Sequence, residues 1–448
     1  MTRSAFRQSR FAVPARAFAA FALAVAVAGH AWAQDAPPAT SSLVLENVNL
    51  IDGRSNTARP GMTVIVRGAR IAAVLDHAPA TLPDSAFVLD LKGCWLVPGF
   101  IDSHVHISHQ TRRLTEESLA RALRGGVTTV RDMAGDARRL AGLQRDAWLG
   151  EIESPDIVYS ALFAGETFFT DPRVLDVTQG TVPGEAPWAR AIRPTTDVAK
   201  AVLEARGTGA SAIKIYTDLP PAELVRVTRA AHAAKLRVWS HATVFPSRPS
   251  DALAAGIDVL SHASMLQWQL TKDVPPRFGP HRDVQPLPVV EADSPKLAAL
   301  FAEMKRRGTI LDATLFVGQE MVATTTDSSK KVHWQGTQAF ALAATRAAHA
   351  AGVAISAGTD DMVPEEGGPP NLHEEMRLLV SAGFTPMQAL QAATRVSAEA
   401  AGVQDQVGTI EAGKRANLVV LGADPSVRIE NTSSIRFVIK AGRLIVRQ

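Results

Sequence analysis

Eight short apolar runs alternate with helical segments through the middle of the chain, and this alternation limits the possible fold more than any other feature. Strand-like runs separated by helical patterns are typical of repeated βαβ units with a parallel sheet. Eight such strands with intervening helices close into a (β/α)8 TIM barrel, an α/β fold that we predict for residues 98–402. The runs are GFIDSHVH, TTVRDMAG, DIVYSALFAG, AIKIYTD, RVWSHATV, DVLSHASM, TILDATLFV and VAISAGTDD, and the helical segments are residues 115–124, 136–149, 196–207, 221–234, 296–307, 338–351 and 372–382.

The two ends of the chain carry strand-like runs of a different kind. Between Leu43 and Val97 short β-type runs are broken by turns, and residues 407–448 repeat this pattern. Neither end is long enough to bury a core of its own. We therefore predict that they combine into one small composite β-sandwich, residues 34–97 plus 403–448.

The first 33 residues have the composition of a secretory signal peptide. Residues 1–16 contain four arginines and no acid, residues 17–29 are apolar, and Ala31-Trp32-Ala33 fits a small-x-small cleavage site. A membrane anchor is the alternative, but it needs about 20 apolar residues, more than this stretch provides. We therefore predict that residues 1–33 are a signal peptide cut before Gln34 and that the protein is exported, to the periplasm or the medium.

Export also changes what the net charge implies. The mature chain loses four arginines and no acid, so its formal charge falls from +3 to −1. No run of Lys or Arg interleaved with aromatic residues remains, which argues against a nucleic acid as partner. The single cysteine, Cys94, has no partner for an internal disulfide, so the core and bound metals must hold the mature protein together.

Four histidines lie at the ends of predicted strands. His104 and His106 end the first run, and because side chains two apart on a strand share a face, both imidazoles can point to the same side. His241 in VWSHA and His262 in VLSHA end the fifth and sixth runs in the same local context. One such histidine is more often a hydrogen-bonded core residue. Four of them at the mouth where barrel strands end are candidate zinc ligands.

Two further residues complete a candidate site for two metals. Asp360 in SAGTDD ends the eighth run and offers a carboxylate, although an Asp at this place could instead cap the next helix. Lys214 lies inside the apolar run SAIKIY, where an ammonium group is costly to bury. It could pair with an acid or extend its amine towards solvent. Alternatively its deprotonated amine captures carbon dioxide and becomes a carbamate whose oxygens bridge two cations.

Together these motifs give the chain a family resemblance. They are LVPGFIDSHVH, GVTTVRD, AIKIY, VWSHA, VLSHA, SAGTDD, LHEEMRLLVSAGFTPMQALQAATRVSAEAAG and VGTIEAGKRANLVVL, and they cover nearly all of the mature chain. The chain resembles the metal-dependent amidohydrolases, in the imidazolonepropionase-like and prolidase-type (Xaa-Pro dipeptidase-like) branch. The resemblance implies a (β/α)8 barrel with a composite β-sandwich.

Lys214 distinguishes between members of this family. The imidazolonepropionase enzymes are mononuclear and lack the bridging lysine, so Lys214 points to the binuclear, dipeptidase-like members. The third-strand loop of those peptidases carries a Gly-Gly-His segment, whereas residues 164–173 here read AGETFFTDPR, which leaves the substrate open. The resemblance implies two divalent metal ions, with zinc expected, bridged by a hydroxide and by N6-carboxylated Lys214. The other ligands would be His104, His106 and Asp360 for one metal and His241 and His262 for the second.

Substrate-binding residues are predicted in the loops at the barrel mouth. Tyr216, after the fourth run, is a candidate to bind a substrate carboxylate or oxyanion, or else a packing residue with a solvated hydroxyl. Arg173 and Arg248 are candidates to pair with a substrate carboxylate, or else solvated surface residues. The long connections 165–194 and 266–295 are expected to shape the substrate pocket.

The sequence as a whole predicts an exported enzyme that hydrolyses the amide bond of a dipeptide or N-acyl amino acid through a metal-bridging hydroxide. Asp360 would be its general acid and base. The alternatives are a cyclic amide or lactone hydrolase on the same site, or a barrel that binds without catalysis. The expected partners are a small-molecule amide or peptide substrate and a second copy of the chain in a homo-oligomer, with no nucleic acid and no stable membrane anchor. The remaining histidines are predicted to be structural or exposed, including His109, His232, His281, His333, His349 and His373, with His373 as the best candidate for an exception.

Overall fold

The structure is a computed structural model that describes residues 42–79, 81, 85–279, 292–364 and 367–446. Its strands are β1 (Ser42–Leu50), β2 (Arg59–Arg67), β3 (Arg70–Leu75), β4 (Phe87–Asp90), β5 (Trp95–Pro98), β6 (Phe100–Val105), β7 (Val127–Asp132), β8 (Asp156–Gly165), β9 (Glu185–Ala186), β10 (Ala189–Ile192), β11 (Ala212–Ile215), β12 (Arg237–His241), β13 (Val259–Ser261), β14 (Ile310–Asp312), β15 (Ile355–Ser356), β16 (Leu418–Leu421), β17 (Ile435–Lys440) and β18 (Arg443–Val446). Its α-helices are α1 (Arg112–Arg124), α2 (Ala137–Leu149), α3 (Pro172–Val177), α4 (Val198–Gly207), α5 (Pro221–Ala233), α6 (Pro249–Ala254), α7 (Pro295–Arg307), α8 (Leu315–Thr324), α9 (Ser328–Ala350), α10 (Leu372–Ser381), α11 (Pro386–Gln391) and α12 (Ser397–Ala401).

The barrel consists of parallel strands in the order β6, β7, β8, β11, β12, β13, β14 and β15. The ring closes where the chain after β15 meets β6. There the Ser103 N–H donates to the Ala357 carbonyl at 2.9 Å, and the Asp360 N–H donates to the His104 carbonyl at 2.8 Å. The predicted (β/α)8 barrel is confirmed, and the carboxyl ends of its strands lie at one mouth.

The two ends of the chain form one mixed sheet, in the order β18-β17-β16-β5-β1-β2-β3, with β4 beside β1. Strand β5 joins the two ends, because it pairs in parallel with β1 and antiparallel with β16. Apolar side chains from both ends share one core, for example Leu45, Val64, Leu418 and Ile439. The predicted composite β structure is therefore confirmed, whereas the domain boundaries stay predictions. The predicted signal peptide, residues 1–33, lies outside the described residues.

The first long connection has regular structure of its own. A 3-10 helix, Glu166–Thr170, follows β8 and leads into α3. The hairpin β9–β10 comes next, and β10 pairs in parallel with the end of β8. The second connection begins with another 3-10 helix, Ala263–Gln269, and residues 280–291 are outside the described part of the chain.

The seventh predicted run is shorter as a strand than expected. TILDATLFV spans residues 309–317, but β14 ends at Asp312 and α8 begins at Leu315. The helix begins there because the buried carboxyl group of Glu375 accepts hydrogen bonds from the Leu315 and Phe316 N–H groups at 3.1 and 2.7 Å. The first N–H groups of a helix have no partner within the helix, so acceptor oxygens at that end stabilise it.

The predicted helical segments correspond to α1, α2, α4, α5, α7, α9 and α10, and α9 begins ten residues earlier than expected, at Ser328. Helices α3, α6, α8, α11 and α12 lie outside the predicted helical segments. Among the described residues, no helix combines the length and the apolar character that crossing a membrane requires.

Candidate metal centre

His104 is buried on β6 and is held by a carboxylate. Its Nδ1–H donates to Oδ2 of Asp312 at 2.6 Å, and its Nε2 lies 3.5 Å from Oδ1 of Asp360. A ring N–H that donates to a carboxylate fixes the tautomer, so the other nitrogen keeps a lone pair for a metal. Burial lowers the pKa of His104, which favours this neutral form.

His262 is held in a similar way by a hydroxyl group. Its Nδ1 lies 2.9 Å from Oγ1 of Thr314, and that hydroxyl donates to the Ala313 carbonyl at 2.9 Å. Thr314 therefore accepts from Nδ1–H, and Nε2 of His262 keeps its lone pair. The ring centroid of His262 lies 4.8 Å from the centroids of both His104 and His241. Burial lowers the pKa of His262 to about 3, so the ring is neutral at neutral pH.

Asp360 contacts both histidines of the first strand. Its Oδ1 lies 3.3 Å from Nε2 of His106 and 3.5 Å from Nε2 of His104. Burial alone would raise the pKa of Asp360, but the attraction of His104 and His106 outweighs it and holds this pKa below its usual range. The backbone of Asp360 is left-handed, with φ 61°. That conformation costs an ordinary residue about 1–3 kcal/mol and is concentrated at functional sites.

Two ring nitrogens in this region are buried without a hydrogen-bond partner among the described residues, Nδ1 of His241 and Nδ1 of His106. His241 ends β12, and its ring centroid lies 4.0 Å from that of Tyr216. Leaving a buried polar atom unpaired costs about 1–3 kcal/mol. A bound cation would remove that cost for His241, so its Nδ1 is a candidate metal donor, whereas His106 faces Asp360 with its other nitrogen, Nε2.

Lys214 is fully buried on β11, with its Nζ 3.4 Å from Oγ of Ser261. Within the described residues this hydroxyl is the partner of the amine, and no carboxylate forms an ion pair with it. Burial lowers the pKa of Lys214 to about 7, against the attraction of Asp312. The lysine charge in turn lowers the pKa values of His104 and His241, as expected for a group that lies among these imidazoles.

A buried ion pair supports the histidines from inside the barrel. Nη2 of Arg131 donates to Oδ2 of Asp312 at 2.9 Å, and both side chains are 0% exposed. The hydroxyls of Ser103 and Ser261 donate to the same carboxylate, each at 3.0 Å. Burial would raise the pKa of Asp312, but His104 and Arg131 hold it below its usual range. The carboxylate that orients His104 is therefore ionised and fully hydrogen-bonded.

These groups fit divalent metal ions. His104, His262 and Asp360 each offer one ligand atom, and the three atoms lie within 4.8 Å of one another. The other three predicted ligands adjoin this cluster, so the structure brings all six to one mouth. Neutral imidazoles and a carboxylate suit zinc and similar cations, and the unpaired Nδ1 of His241 agrees with a bound metal. The assignment of individual ligands stays a prediction.

The mouth opens into a cavity of about 850 Å³, within the range of ligand sites, about 300–1,000 Å³. His241, His262 and Asp360 line it on the barrel side. The ring of Phe168 stacks on Tyr216 with centroids 4.5 Å apart, and helices α8 and α9 contribute further lining residues. A small organic molecule could therefore bind directly beside the candidate metal ligands.

The sequence profile of the Amidohydrolase family matches residues 95–445. The chain belongs to the amidohydrolase family. This match confirms the resemblance that the motifs indicate and the prediction of an amidohydrolase-type enzyme. Within this family divalent metals are general, in agreement with the cluster at the mouth.

Solved structures share the whole fold of this amidohydrolase. A Xaa-Pro dipeptidase with bound methionine aligns with 91% of this chain and 100% of its own, with a TM-score of 0.72 and 20% identity. Ochratoxinase from A. niger aligns with 93% of this chain and 97% of its own, with a TM-score of 0.70 and 21% identity. Similarity at this level of identity shows the fold.

Curated relatives match only a short stretch of the amidohydrolase. The adenine deaminase of Rubrobacter xylanophilus is 40% identical over 86 residues, which are 19% of this chain and 14% of the deaminase. The N-acyl-D-aspartate deacylase of Alcaligenes xylosoxydans xylosoxydans is 45% identical over 74 residues, 16% of this chain and 14% of the deacylase. The aligned stretches thus span about one seventh of each relative.

Two of the three predicted substrate-binding residues lie at the cavity, and the third is not part of its described lining. Arg173 and Tyr216 both line the cavity, and Nη1 of Arg173 lies 3.3 Å from the Tyr216 hydroxyl. Asp171 binds the same guanidinium through two contacts of 3.0 and 2.8 Å. Arg248 is not among the described lining residues, and its predicted role stays untested. Its guanidinium donates to the backbone carbonyls of Trp268, Thr271 and Lys272.

Two of the remaining histidines lie close to the candidate site of the amidohydrolase. His333, in α9, lines the cavity, which the sequence did not predict. The ring centroid of His109 lies 5.9 Å from that of His106. His373 has its Nδ1 2.9 Å from Oγ1 of Thr432 and is not among the described lining residues.

Sequence reasoning missed three residues that position the candidate ligands: Arg131, Asp312 and Thr314. Arg131 and Asp312 are charged residues inside apolar runs, TTVRDM and TILDATLFV, which is the same signal that drew attention to Lys214. Applied to every run, that signal would have found both. Thr314 carries no comparable signal, because a threonine after a strand is common in turns.

Proposed function

We propose that this amidohydrolase hydrolyses the amide bond of N-acyl amino acids or dipeptides at a centre of two divalent metal ions, with zinc expected. The observation that carries the proposal is a cluster of candidate ligands at the cavity. His241, His262 and Asp360 line the cavity, Asp360 also contacts His104 and His106, and the buried Lys214 lies on the strand next to that of His241. Two similar proteins have names that point the same way, a Xaa-Pro dipeptidase and an N-acyl-D-aspartate deacylase.

Residues from five barrel strands would hold the proposed metals. Bound cations would lower the pKa of a water molecule and polarise the scissile carbonyl group. Lys214 would bridge them as a carbamate, and its pKa of about 7 supports this, because the neutral amine is the form that reacts with carbon dioxide. The remaining ligands would be His104, His106 and Asp360 for one metal and His241 and His262 for the other.

Asp360 is placed to move the proton that hydrolysis requires. One water molecule adds across the amide and the C–N bond breaks, which gives a carboxylate, an amine and one released proton. We infer that the Asp360 carboxylate accepts the proton of the attacking water and then delivers it to the leaving nitrogen. Nε2 of His106 and Nε2 of His104 lie 3.3 and 3.5 Å from this carboxylate, and the pKa of Asp360 is held below its usual range.

The carboxylate of the amino acid half would bind between Arg173 and Tyr216. The hydroxyl of Tyr216 and Nη1 of Arg173 are 3.3 Å apart, so one anion can contact both. The Tyr216 ring lies against His241, which puts this position next to the candidate metals. Asp171 binds the far side of the guanidinium and fixes its direction. Charge-assisted hydrogen bonds of this kind are strong and directional.

A substrate screen tests the proposal. Protein that begins at Gln34 and is loaded with zinc would be incubated with N-acyl amino acids and dipeptides of many side chains, together with lactones and cyclic amides, and product release measured. We expect amide hydrolysis that a chelator abolishes and zinc restores. We expect Asp360→Asn to reduce kcat by about 10²–10⁴-fold, and Asp361→Asn, at the exposed next position, to reduce it little.

Three outcomes would contradict the proposal. They are hydrolysis of lactones or cyclic amides alone, amide hydrolysis that survives removal of all divalent metal, and full activity of Asp360→Asn. Circular dichroism and thermal unfolding of each variant separate a loss of chemistry from a loss of folding.

A further inference from the structure

The cavity at the metal centre has two unlike sides. Arg173 and Tyr216 lie on one side, and Tyr216 directly follows β11, the fourth strand of the barrel. Helices α8 and α9 lie on the other side, and they follow β14, the seventh strand. The fourth and seventh strands are three positions apart in a ring of eight. Tyr216 and the two helices therefore lie on different sides of the mouth. A molecule that contacts both sides must pass the candidate metal ligands.

Helices α8 and α9 pack closely where they face the cavity. A Cβ atom added at Gly318 would lie 2.1 Å from Oε1 of Gln338. Only glycine at this position therefore lets the Gln338 side chain lie so close to α8 without moving. The side chain of Gln338 also donates to the Leu315 carbonyl at 3.0 Å, which ties the two helices together. We call this surface the α8–α9 wall, and the apolar side chains that it presents to the cavity are Val317, Met321, Trp334 and Ala341.

The described lining offers no carboxylate to a positively charged group on that side. Its carboxylates are Asp171 and Asp360, and both are already engaged. Asp171 binds Arg173 at 2.8 Å, and Asp360 contacts His106 at 3.3 Å. The polar side chains of the described lining on that side are His333, Thr337 and Gln338, and none of them is a carboxylate. The free ammonium of a dipeptide would therefore lose water beside apolar side chains without gaining an ion-pair partner, which is unfavourable.

We infer that the α8–α9 wall binds the acyl half of the substrate and selects bulky, uncharged acyl groups, so that N-acyl amino acids are hydrolysed in preference to free dipeptides. This inference rests on the proposed function. If the amino acid carboxylate binds at Arg173 and Tyr216, the acyl half extends past the metals to the wall. The cavity of about 850 Å³ lies near the upper end of the range for ligand sites, and a small acyl group would leave much of it empty.

Matched pairs of compounds test the inference. Propanoyl and glycyl amides of one amino acid differ only by a methyl against an ammonium group, and 3-phenylpropanoyl and phenylalanyl amides differ only by the α-ammonium. The amino acid would be the best one from the screen above. We expect kcat/KM to be at least about tenfold higher for each acyl compound. From acetyl to hexanoyl it should rise about fourfold for each methylene that becomes buried.

The outcomes separate this inference from the proposed function. Equal or faster hydrolysis of the free dipeptides, or a kcat/KM that does not change with acyl length, overturns the inference and leaves amide hydrolysis standing. Hydrolysis of neither series by metal-loaded protein overturns both.

A charge placed on the wall gives an independent test. Met321 is 39% exposed, so Met321→Asp should fold. We expect it to lower kcat/KM for the 3-phenylpropanoyl compound about tenfold or more and to shift the preference towards the phenylalanyl compound. Ala323→Asp adds the same charge to α8 at an exposed position that does not line the cavity, and it should change neither value. Equal effects of the two variants would overturn the assignment of the wall.

Discussion

Among the charged side chains that are fully buried in the barrel, Arg131, Asp312 and Lys214 differ in how their charge is compensated. Arg131 and Asp312 form an ion pair with each other at 2.9 Å. Lys214 has a serine hydroxyl at 3.4 Å and no ion pair among the described residues. A buried ammonium without a partner is costly, so the lysine is expected to lose its proton or to react. The residue that the sequence singled out thus keeps its distinct chemistry in the folded protein.

Lys214→Ala should leave a space that a small carboxylate can occupy. If the carbamate bridges the metals, the variant loses about a hundredfold or more in kcat, and added propionate restores part of it by supplying two oxygens. Steady-state kinetics with and without propionate measure this, and 1-propanol, which lacks the carboxylate, is the control. A variant as active as the unaltered enzyme, or equal rescue by the alcohol, would rule out the bridging role.

Carbon dioxide uptake by metal-free protein should depend on pH in one direction. Because the pKa of Lys214 is about 7, the neutral fraction of its amine rises nearly tenfold per pH unit below that value and levels off above it. At constant dissolved carbon dioxide, the rate of carbamate formation should therefore increase through about pH 7. Carbon NMR with labelled carbon dioxide measures it, with Lys214→Ala as the blank. A rate that is constant from about pH 6 to about pH 8 would disprove the argument.

The candidate ligands could be predicted from the sequence because each leaves a local signal. The spacing of His104 and His106 puts both on one strand face, and Lys214 interrupts an apolar run. The groups that orient the ligands were not found. Thr314 contacts His262 across 52 residues of chain, and no local pattern reports such a pairing.

At the scale of elements, the ends of the barrel strands direct side chains into the mouth through unusual backbone conformations. His262, Thr314 and Asp360 follow three neighbouring strands, and their φ angles are 72°, 50° and 61°. Left-handed backbone is rare for residues with side chains and persists where the surrounding structure fixes it. Thr314 also marks the start of α8, which Glu375 stabilises from α10. The start of that helix thus determines where the hydroxyl that holds His262 lies.

Thr314→Val should weaken metal binding without unfolding the protein. Valine has nearly the shape of threonine but cannot accept the Nδ1–H of His262, and loss of such an outer partner usually lowers metal affinity about 10–100-fold. Competition with a chromogenic chelator measures the affinity of the metal-stripped protein. Thr314→Ser keeps the hydroxyl and should restore most of it. Unchanged affinity in the valine variant would show that the hydroxyl does not orient a ligand.

The fold was predictable to the extent that its elements carry periodic patterns. Each of the eight apolar runs contains a barrel strand, and most of the helices between them were found. The seventh strand was predicted too long, because the side chain that caps the start of α8 is Glu375, about sixty positions later in the chain. Helix α3 and the hairpin β9–β10 were missed inside a connection that has no strong periodicity.

At the scale of the whole molecule, the composite sheet is attached directly to the strand that carries two candidate ligands. Gly99 alone separates β5 from β6, and its N–H donates to the Asn417 carbonyl at 2.8 Å. A Cβ atom at Gly99 would lie 2.1 Å from the Thr128 hydroxyl, so a side chain has no space there. The sheet built from both chain ends therefore fixes where β6 begins, and with it the position of His104 and His106.

Export is proposed from the sequence of the first 33 residues. When the full-length chain is expressed with a bacterial secretion system, we expect the protein in the periplasm or medium to begin at Gln34, because Ala31-Trp32-Ala33 fits the cleavage site. N-terminal sequencing of the fractionated protein measures this, and Ala31→Arg together with Ala33→Arg should block cleavage. Uncleaved protein found only inside the cell would refute the proposal.

We propose that five barrel strands direct their terminal side chains to two cations bridged by Lys214. Anomalous X-ray scattering at the zinc edge from crystals of the zinc-loaded protein measures where the cations bind. We expect two zinc peaks, one beside His104, His106 and Asp360 and the other beside His241 and His262, with carbamate density on Lys214 between them. A single peak, or two peaks with an unmodified lysine that contacts neither, would show that Lys214 does not bridge two cations.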